Sequence, residues 1–77
     1  MANETSGGTR DVTYNLVSVI YHALQGADTY HTYVRDAETE GDQELVDFFR
    51  EAEQQSEQLA ERAKGLLTQK LSQGGNS

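Results

Sequence analysis

Apolar residues recur every three or four positions in two long segments of the chain, which are separated by a short polar interruption. This period places apolar side chains on one face of an α-helix. The interruption contains Gly41, which can adopt the left-handed conformation that ends a helix, and Asp42, which can cap the next helix. We therefore predict two helices, over about residues 12–40 and about residues 43–71.

Both ends of the chain lack this pattern. Residues 1–10 and residues 72–77 are polar, glycine-rich and unpatterned, which predicts disordered tails. The first helix has Asp11 or Thr9 as a suitable N-cap, because their side-chain oxygens can accept hydrogen bonds from the first turn. The chain therefore contains one helical domain, spanning residues 11–71.

The short connection forces the two helices into an antiparallel hairpin, in which residues whose numbers sum to about 82 lie side by side. The apolar stripe of each helix spans well over about 100° of its surface, which is wider than one partner helix can cover. A second hairpin related by a twofold axis would cover both stripes. The predicted fold is thus all-α: an antiparallel two-helix hairpin that dimerises into a four-helix bundle, with higher oligomers as an alternative.

Composition supports association as the source of stability. The chain has 77 residues and no cysteine, and a domain of this size buries only about 60% of its unfolded surface. Because the chain has no cysteine, disulfides and thiolate metal sites are excluded as sources of stability. The formal charge of -7 argues against nucleic-acid and anionic-membrane partners. No apolar run reaches the roughly 18 residues of a membrane span, so we expect a soluble, cytoplasmic protein.

Residues 15–67 resemble the first helix pair of rubrerythrin-like members of the ferritin-like superfamily. The resemblance covers most of the patterned chain without a gap, and it implies the same four-helix-bundle architecture. Most of the matching residues pack helices or form the turn. They are Asn15, Leu16, Tyr30, Ala37, Glu40, Gly41, Phe49 and Glu51.

In that family, each helix pair supplies a glutamate from its first helix and an E-x-x-H motif from its second, and these side chains bind iron. The resemblance carries these three positions onto Ala23, Ser56 and Leu59. Alanine, serine and leucine offer no useful ligands to such metals. We therefore expect no cofactor, no catalytic residue and no di-iron chemistry.

One polar residue interrupts the predicted apolar face of the first helix. His31 follows Asp28 at helical spacing, and the second helix would bring Glu51 or Glu53 near it. Imidazole and carboxylate groups together can bind zinc or another divalent ion. The alternative is a histidine at the edge of the core that is hydrogen-bonded to Gln55, to Glu51 or to water.

The sequence therefore predicts a non-catalytic, homo-oligomeric module with a structural or protein-interaction role. Its alternative is a ferritin-like protein that binds divalent metal around His31. The residues expected in the core or the dimer interface share the apolar stripes. They are Leu16, Ile20, Ala23, Ala27, Tyr30, Phe48, Phe49, Ala52, Ser56, Leu59, Ala63 and Leu66.

Overall fold

A computed structural model describes residues 11–76, which form two α-helices and no strand: α1 (Val12–Glu40) and α2 (Gln43–Asn76). The prediction of an all-helical hairpin is confirmed. Helix α2 continues beyond Leu71, its predicted end, so the backbone of residues 72–76 is helical and not part of a disordered tail. The predicted N-terminal tail over residues 1–10 lies outside the described residues, as does Ser77.

The connection between the helices is held by backbone hydrogen bonds. Gly41 has a φ of 74° and donates its N–H to the Glu38 carbonyl at 3.0 Å, while the Asp42 N–H donates to the Ala37 carbonyl at 3.0 Å. This is the glycine-capped helix end that the sequence indicates. The Asp42 carboxylate then accepts the backbone N–H of Leu45 at 3.2 Å, which caps α2.

The beginning of α1 is capped in the same way, since the Asp11 carboxylate accepts the backbone N–H of Tyr14 at 3.0 Å. Contacts between the helices fix their register. A methyl group added at Gly26 would lie 3.5 Å from the Ser56 hydroxyl, and the rings of Tyr33 and Phe49 lie 5.5 Å apart. Both pairs of numbers sum to 82, which is the predicted register.

The core between the helices consists of small side chains. Seven hydrophobic residues are no more than 7% exposed, and no large side chain among the described residues is fully buried. Small residues let two helices approach closely, but they remove little apolar surface from water. The core residues are Ala23, Ala27, Val34, Ala37, Val46, Ala60 and Ala63.

The residues expected in the core or dimer interface differ in burial. Ala23, Ala27 and Ala63 are buried between the two helices. Another six are half-buried: Leu16, Ile20, Tyr30, Phe49, Ala52 and Ser56. The remaining three are exposed, and contact with a second copy at these positions stays a prediction: Phe48, Leu59 and Leu66.

The hairpin is one layer thick. Its smallest dimension is 13 Å, close to the diameter of about 10–12 Å of a single helix with its side chains. Both faces of the helix pair are consequently open in one copy. Neither helix, over the part that is described, is long and apolar enough to cross a membrane.

Candidate functional site

One face of the hairpin is apolar along its length. At 100° per residue, side chains from the same side of both helices line this face, and we refer to it as the apolar face. It includes glycine, alanine and serine as well as large apolar and aromatic residues. Its members are Val12, Val19, Gly26, Tyr30 and Tyr33 from α1, and Leu45, Phe48, Phe49, Ala52, Ser56, Leu59 and Leu66 from α2.

An aromatic cluster forms the part of the apolar face nearest the connection. The ring of Tyr33 lies 5.9 Å from that of Tyr30 and 5.5 Å from that of Phe49, in both cases edge to face. Phe48 extends the cluster outward, with its ring 5.7 Å from that of Phe49. Since Phe48 is 60% exposed, the cluster ends in an aromatic ring that contacts solvent.

The middle of the apolar face is lined by small residues. Gly26 lies beside Ser56, and a methyl group at Gly26 would also be 3.9 Å from the Tyr30 ring. Ala52 is on the adjacent turn of α2. A second helix pair could approach this part of the face closely, because no large side chain projects from it.

The apolar face also lacks charge. On α1 its arc contains no aspartate, glutamate, lysine or arginine between Asp11 and Glu40, and on α2 it contains none between Asp42 and Lys70. The chain is otherwise rich in charge, with 25% of its residues ionisable as Asp, Glu, Lys or Arg. Depletion of charge is typical of the centre of protein interfaces.

The opposite face of the hairpin, which we call the polar face, carries polar contacts between the helices. His31 Nδ1 lies 3.2 Å from Glu53 Oε2, and Arg50 donates to Glu38 Oε2 at 3.0 Å. The members of the polar face line one groove: His31, Arg35, Glu38, Arg50, Glu53, Gln54 and Glu57.

The prediction that His31 lies on the inward, apolar side of the first helix is wrong. Its side chain is 60% exposed and belongs to the polar face. Its partner across the hairpin is Glu53, whereas Glu51 is exposed on the outer side of α2. His31 is thus an exposed histidine beside Glu53, which is neither the core-edge position nor one of the hydrogen-bond partners, Gln55 and Glu51, expected for it.

Two of the four candidate metal ligands, His31 and Glu53, are brought together, and Asp28 lines the same groove. Among the described residues, no group of three or more histidine and carboxylate side chains is arranged to hold a metal ion. A protein zinc site uses at least three such ligands. His31 and Glu53 form a pair at hydrogen-bond distance, and Glu51 lies away from it on the outer side of α2.

The three positions to which the resemblance carries the iron ligands all border the apolar face. Ala23 is buried beneath it, Ser56 is half-buried at its middle, and Leu59 is exposed on it. This surface therefore presents the hydroxyl group of Ser56 and the isobutyl group of Leu59, while the Ala23 methyl group packs in the core. The isobutyl group favours packing against another apolar surface.

Comparisons of this chain with protein-family models, with curated proteins and with solved structures find no match.

Proposed function

We propose that this chain is a non-catalytic, metal-free hairpin of the ferritin-like type that homodimerises through its apolar face. The resulting four-helix bundle acts as a structural or protein-interaction module. The observation that carries this proposal is a charge-free apolar face lying over a core made only of alanine and valine. A metal-free bundle is also supported by Ala23, Ser56 and Leu59 at the positions where the resemblance requires metal ligands.

The energetic argument concerns large side chains that the single hairpin leaves in water. Leu45, Phe48, Leu59 and Leu66 are each at least 42% exposed. Burying a leucine or phenylalanine side chain completely contributes about 1.5–3 kcal/mol. A small domain whose core contains only alanine and valine gains much of its stability from such a contact.

The distribution of charge favours an antiparallel dimer, with the two connections at opposite ends of the bundle. Residues 35–51, around the connection, contain seven carboxylates and two arginines, a net charge of -5. Residues 11–27 and 54–73, at the other end, contain three carboxylates and three basic residues, a net charge of zero. Placing the two connections side by side would bring the two acidic ends together, and like charges repel.

The antiparallel arrangement defines which residues meet. A twofold axis perpendicular to the helices lays α2 along α2 of the second copy. Gly26 and Ser56 lie near the middle of the apolar face, so this axis passes close to them. Ser56 of one copy is then next to Ser56 of the other, and Leu45 is next to Leu66 of the other.

Disulfide trapping tests the arrangement, because the chain contains no cysteine of its own. A Ser56→Cys variant should form a covalent dimer on mild oxidation, since a disulfide needs Cα atoms within about 7 Å. Gln54→Cys is the matched control, because Gln54 lies on the polar face of the same helix. It should remain uncrosslinked under the same conditions.

A bundle with parallel connections would place Ser56 diagonally opposite its counterpart, and Ser56→Cys would then give no covalent dimer. Equal crosslinking of Ser56→Cys and Gln54→Cys would indicate random collision and would contradict a specific contact at the apolar face.

A charge inserted in the apolar face tests the contact without a crosslink. Phe48→Asp should reduce the particle from a dimer to a monomer in sedimentation velocity, because a carboxylate would be buried unpaired. Tyr14→Asp is the control, since Tyr14 is an aromatic residue of similar exposure, 64% against 60% for Phe48, that lies outside the apolar face. It should leave the dimer intact, and a dimer that survives Phe48→Asp would refute the proposal.

A further inference from the structure

The side chains of α1 that face α2 lie on two lines along the helix, each with a spacing of seven residues. The first line is Ile20, Ala27 and Val34, and all three are buried or half-buried. So are the members of the second line: Leu16, Ala23, Tyr30 and Ala37. Together the two lines have the alternating spacing of three and four residues that forms a helix-packing seam.

Helix α1 carries a third line, in which each residue directly follows a member of the second line: Val17, Leu24, His31 and Glu38. The first and third lines together also have the spacing of a seam. Consecutive residues are about 100° apart around a helix, so exchanging the second line for the third requires a rotation of α1 by about 50°. The sequence of α1 therefore contains a second packing against α2.

In the half of α1 far from the connection, apolar burial does not select the observed rotation. Val17 and Leu24 are 47% and 45% exposed, while Ala23 of the second line is buried. The free energy gained by burial scales with the apolar area removed from water. Leu24 in the seam would remove more apolar surface than Ala23 does, so this half offers the rotated packing an advantage at that position.

The half of α1 nearest the connection opposes the rotated packing, because there the third line consists of His31 and Glu38. His31 Nδ1 lies 3.2 Å from Glu53 Oε2. Arg50 donates to Glu38 Oε2 at 3.0 Å. Rotation of α1 would carry His31 and Glu38 into the seam and away from these partners, and a carboxylate without a partner between two helices is costly.

We propose that His31 and Glu38 select the rotation of α1, and that without these polar side chains α1 turns to bury Val17 and Leu24. This inference goes beyond the proposed function, because it concerns the packing of the helices within one hairpin and holds whether or not two hairpins associate. The selected rotation decides which side chains of α1 line the apolar face.

Nuclear magnetic resonance of the full chain tests the proposal with the variant His31→Leu/Glu38→Leu, which makes the third line apolar throughout. The first readout is the contact between the rings of Tyr33 and Phe49, whose centroids lie 5.5 Å apart in the observed rotation. The rotated helix would turn Tyr33 away from α2. We expect the nuclear Overhauser contact between these rings to be present in the original chain and lost in the variant.

The second readout is the exposure of the Val17 and Leu24 methyl groups, measured by the broadening of their signals with a soluble paramagnetic agent. Both should be broadened in the original chain. In the variant they should be protected to the level of the Ala63 methyl group, since Ala63 is 4% exposed. Neither Val17 nor Leu24 belongs to the apolar face, so this readout does not depend on dimerisation.

Thr29→Leu/Asp36→Leu is the matched control. It also replaces a polar and an acidic side chain seven residues apart on α1, and both positions are exposed. They lie on the outer side of α1, away from all three lines, so the control should retain the ring contact and the exposed methyl groups. His31→Gln/Glu38→Gln keeps the third line polar and should retain the observed rotation as well.

Retention of the ring contact in the leucine variant, with both methyl groups exposed as in the control, would overturn the proposal. Rotation of α1 in the glutamine variant would also overturn it, because polarity would then not be the selecting property. Helical circular dichroism of each variant checks that it folds. If the leucine variant aggregates, His31→Ala/Glu38→Ala replaces it, with Thr29→Ala/Asp36→Ala as its control and the same two readouts deciding.

Discussion

The apolar face and the polar face of the hairpin are built from the same two helices, but their side chains interact with water differently. On the polar face, long side chains cover the groove between the helices: Arg50 pairs its charge with that of Glu38, and His31 lies within hydrogen-bond distance of Glu53. On the apolar face, rings and isobutyl groups such as Phe48 and Leu59 remain in water. The polar face is well solvated in a single copy, whereas the apolar face exposes hydrophobic surface to water.

This difference supports the proposal that the hairpin associates through its apolar face. Exposed ion pairs contribute about 0–1 kcal/mol each and need no partner. Exposed leucine and phenylalanine side chains offer more than this when a second molecule buries them. Substitutions on the two faces should therefore have unequal effects, and the following experiments measure how unequal they are.

The largest effect is expected in the core between the two helices, which lies beneath both faces. Ala60 is 0% exposed, and Ala60→Glu would place a carboxylate between the helices without a partner. We expect the free energy of unfolding, measured by urea denaturation, to fall by about 3–5 kcal/mol. Gln58→Glu, an exposed position of α2, adds the same charge and should change this free energy little. A small effect of Ala60→Glu would contradict the placement of this residue at the helix contact.

Leu59 and Leu24 provide a direct comparison between the apolar face and a surface outside it. They are 49% and 45% exposed in one copy, so a monomer predicts similar effects of substitution by alanine. In the proposed bundle, the second copy would bury Leu59, so Leu59→Ala should cost about 2–5 kcal/mol. Leu24→Ala should cost clearly less in denaturation at low micromolar protein, and equal costs would indicate that the apolar face is uncovered.

Two glycines test the middle of the apolar face with a smaller effect. Gly65 has nothing within 4 Å of an added methyl group, and Gly65→Ala should stabilise α2 by about 0.5–1 kcal/mol because alanine favours the helix. Gly26 also has room for a methyl group in one copy, with its nearest contact at 3.5 Å. In the bundle that methyl group would meet the second copy, so Gly26→Ala should lose this gain. Equal gains in melting temperature would argue against close approach there.

The smallest effect belongs to the polar face. The side chains of Arg50 and Glu38 are 54% and 50% exposed, so solvent screens their attraction. Arg50→Ala should lower the free energy of unfolding by no more than about 1 kcal/mol, and less at high salt. A larger loss would show that the polar face is also covered in solution. Denaturation at two salt concentrations measures both quantities.

Local signals in the sequence predicted the hairpin well. A glycine able to adopt a positive φ, followed by an aspartate able to cap α2, marks the connection at Gly41 and Asp42, and both act as expected. The end of α2 was harder to predict from the sequence, because serine and glycine beyond Leu71 favour the helix weakly. The backbone hydrogen bonds of a long helix nevertheless continue through them.

The rotation of each helix was harder to predict, and this explains the misplacement of His31. The apolar residues of α1 include Val17 and Leu24, which are exposed and do not belong to the core. Averaging the directions of all these apolar side chains around the helix axis rotates the predicted buried face toward His31. On α2, bulky residues such as Phe48 shift the predicted face away from Val46 and Ala60, which are the buried residues.

Small residues were the better guide to the helix contact. Five of the seven core residues are alanines, because two helices in close contact leave room for little else. A search of the sequence for alanines at helical spacing could have found this line on both helices. The contact between copies has no such local signal, since it depends on a second molecule.

The most direct test of the central claim is the mass of the untagged chain in sedimentation equilibrium at low micromolar concentration and low salt. The chain has a mass of 8.5 kDa, so a bundle of two hairpins has twice this mass. We expect the dimer mass, together with a melting temperature that rises with protein concentration. The mass of a single chain, with a melting temperature independent of concentration, would contradict the claim that the apolar face is covered by a second copy.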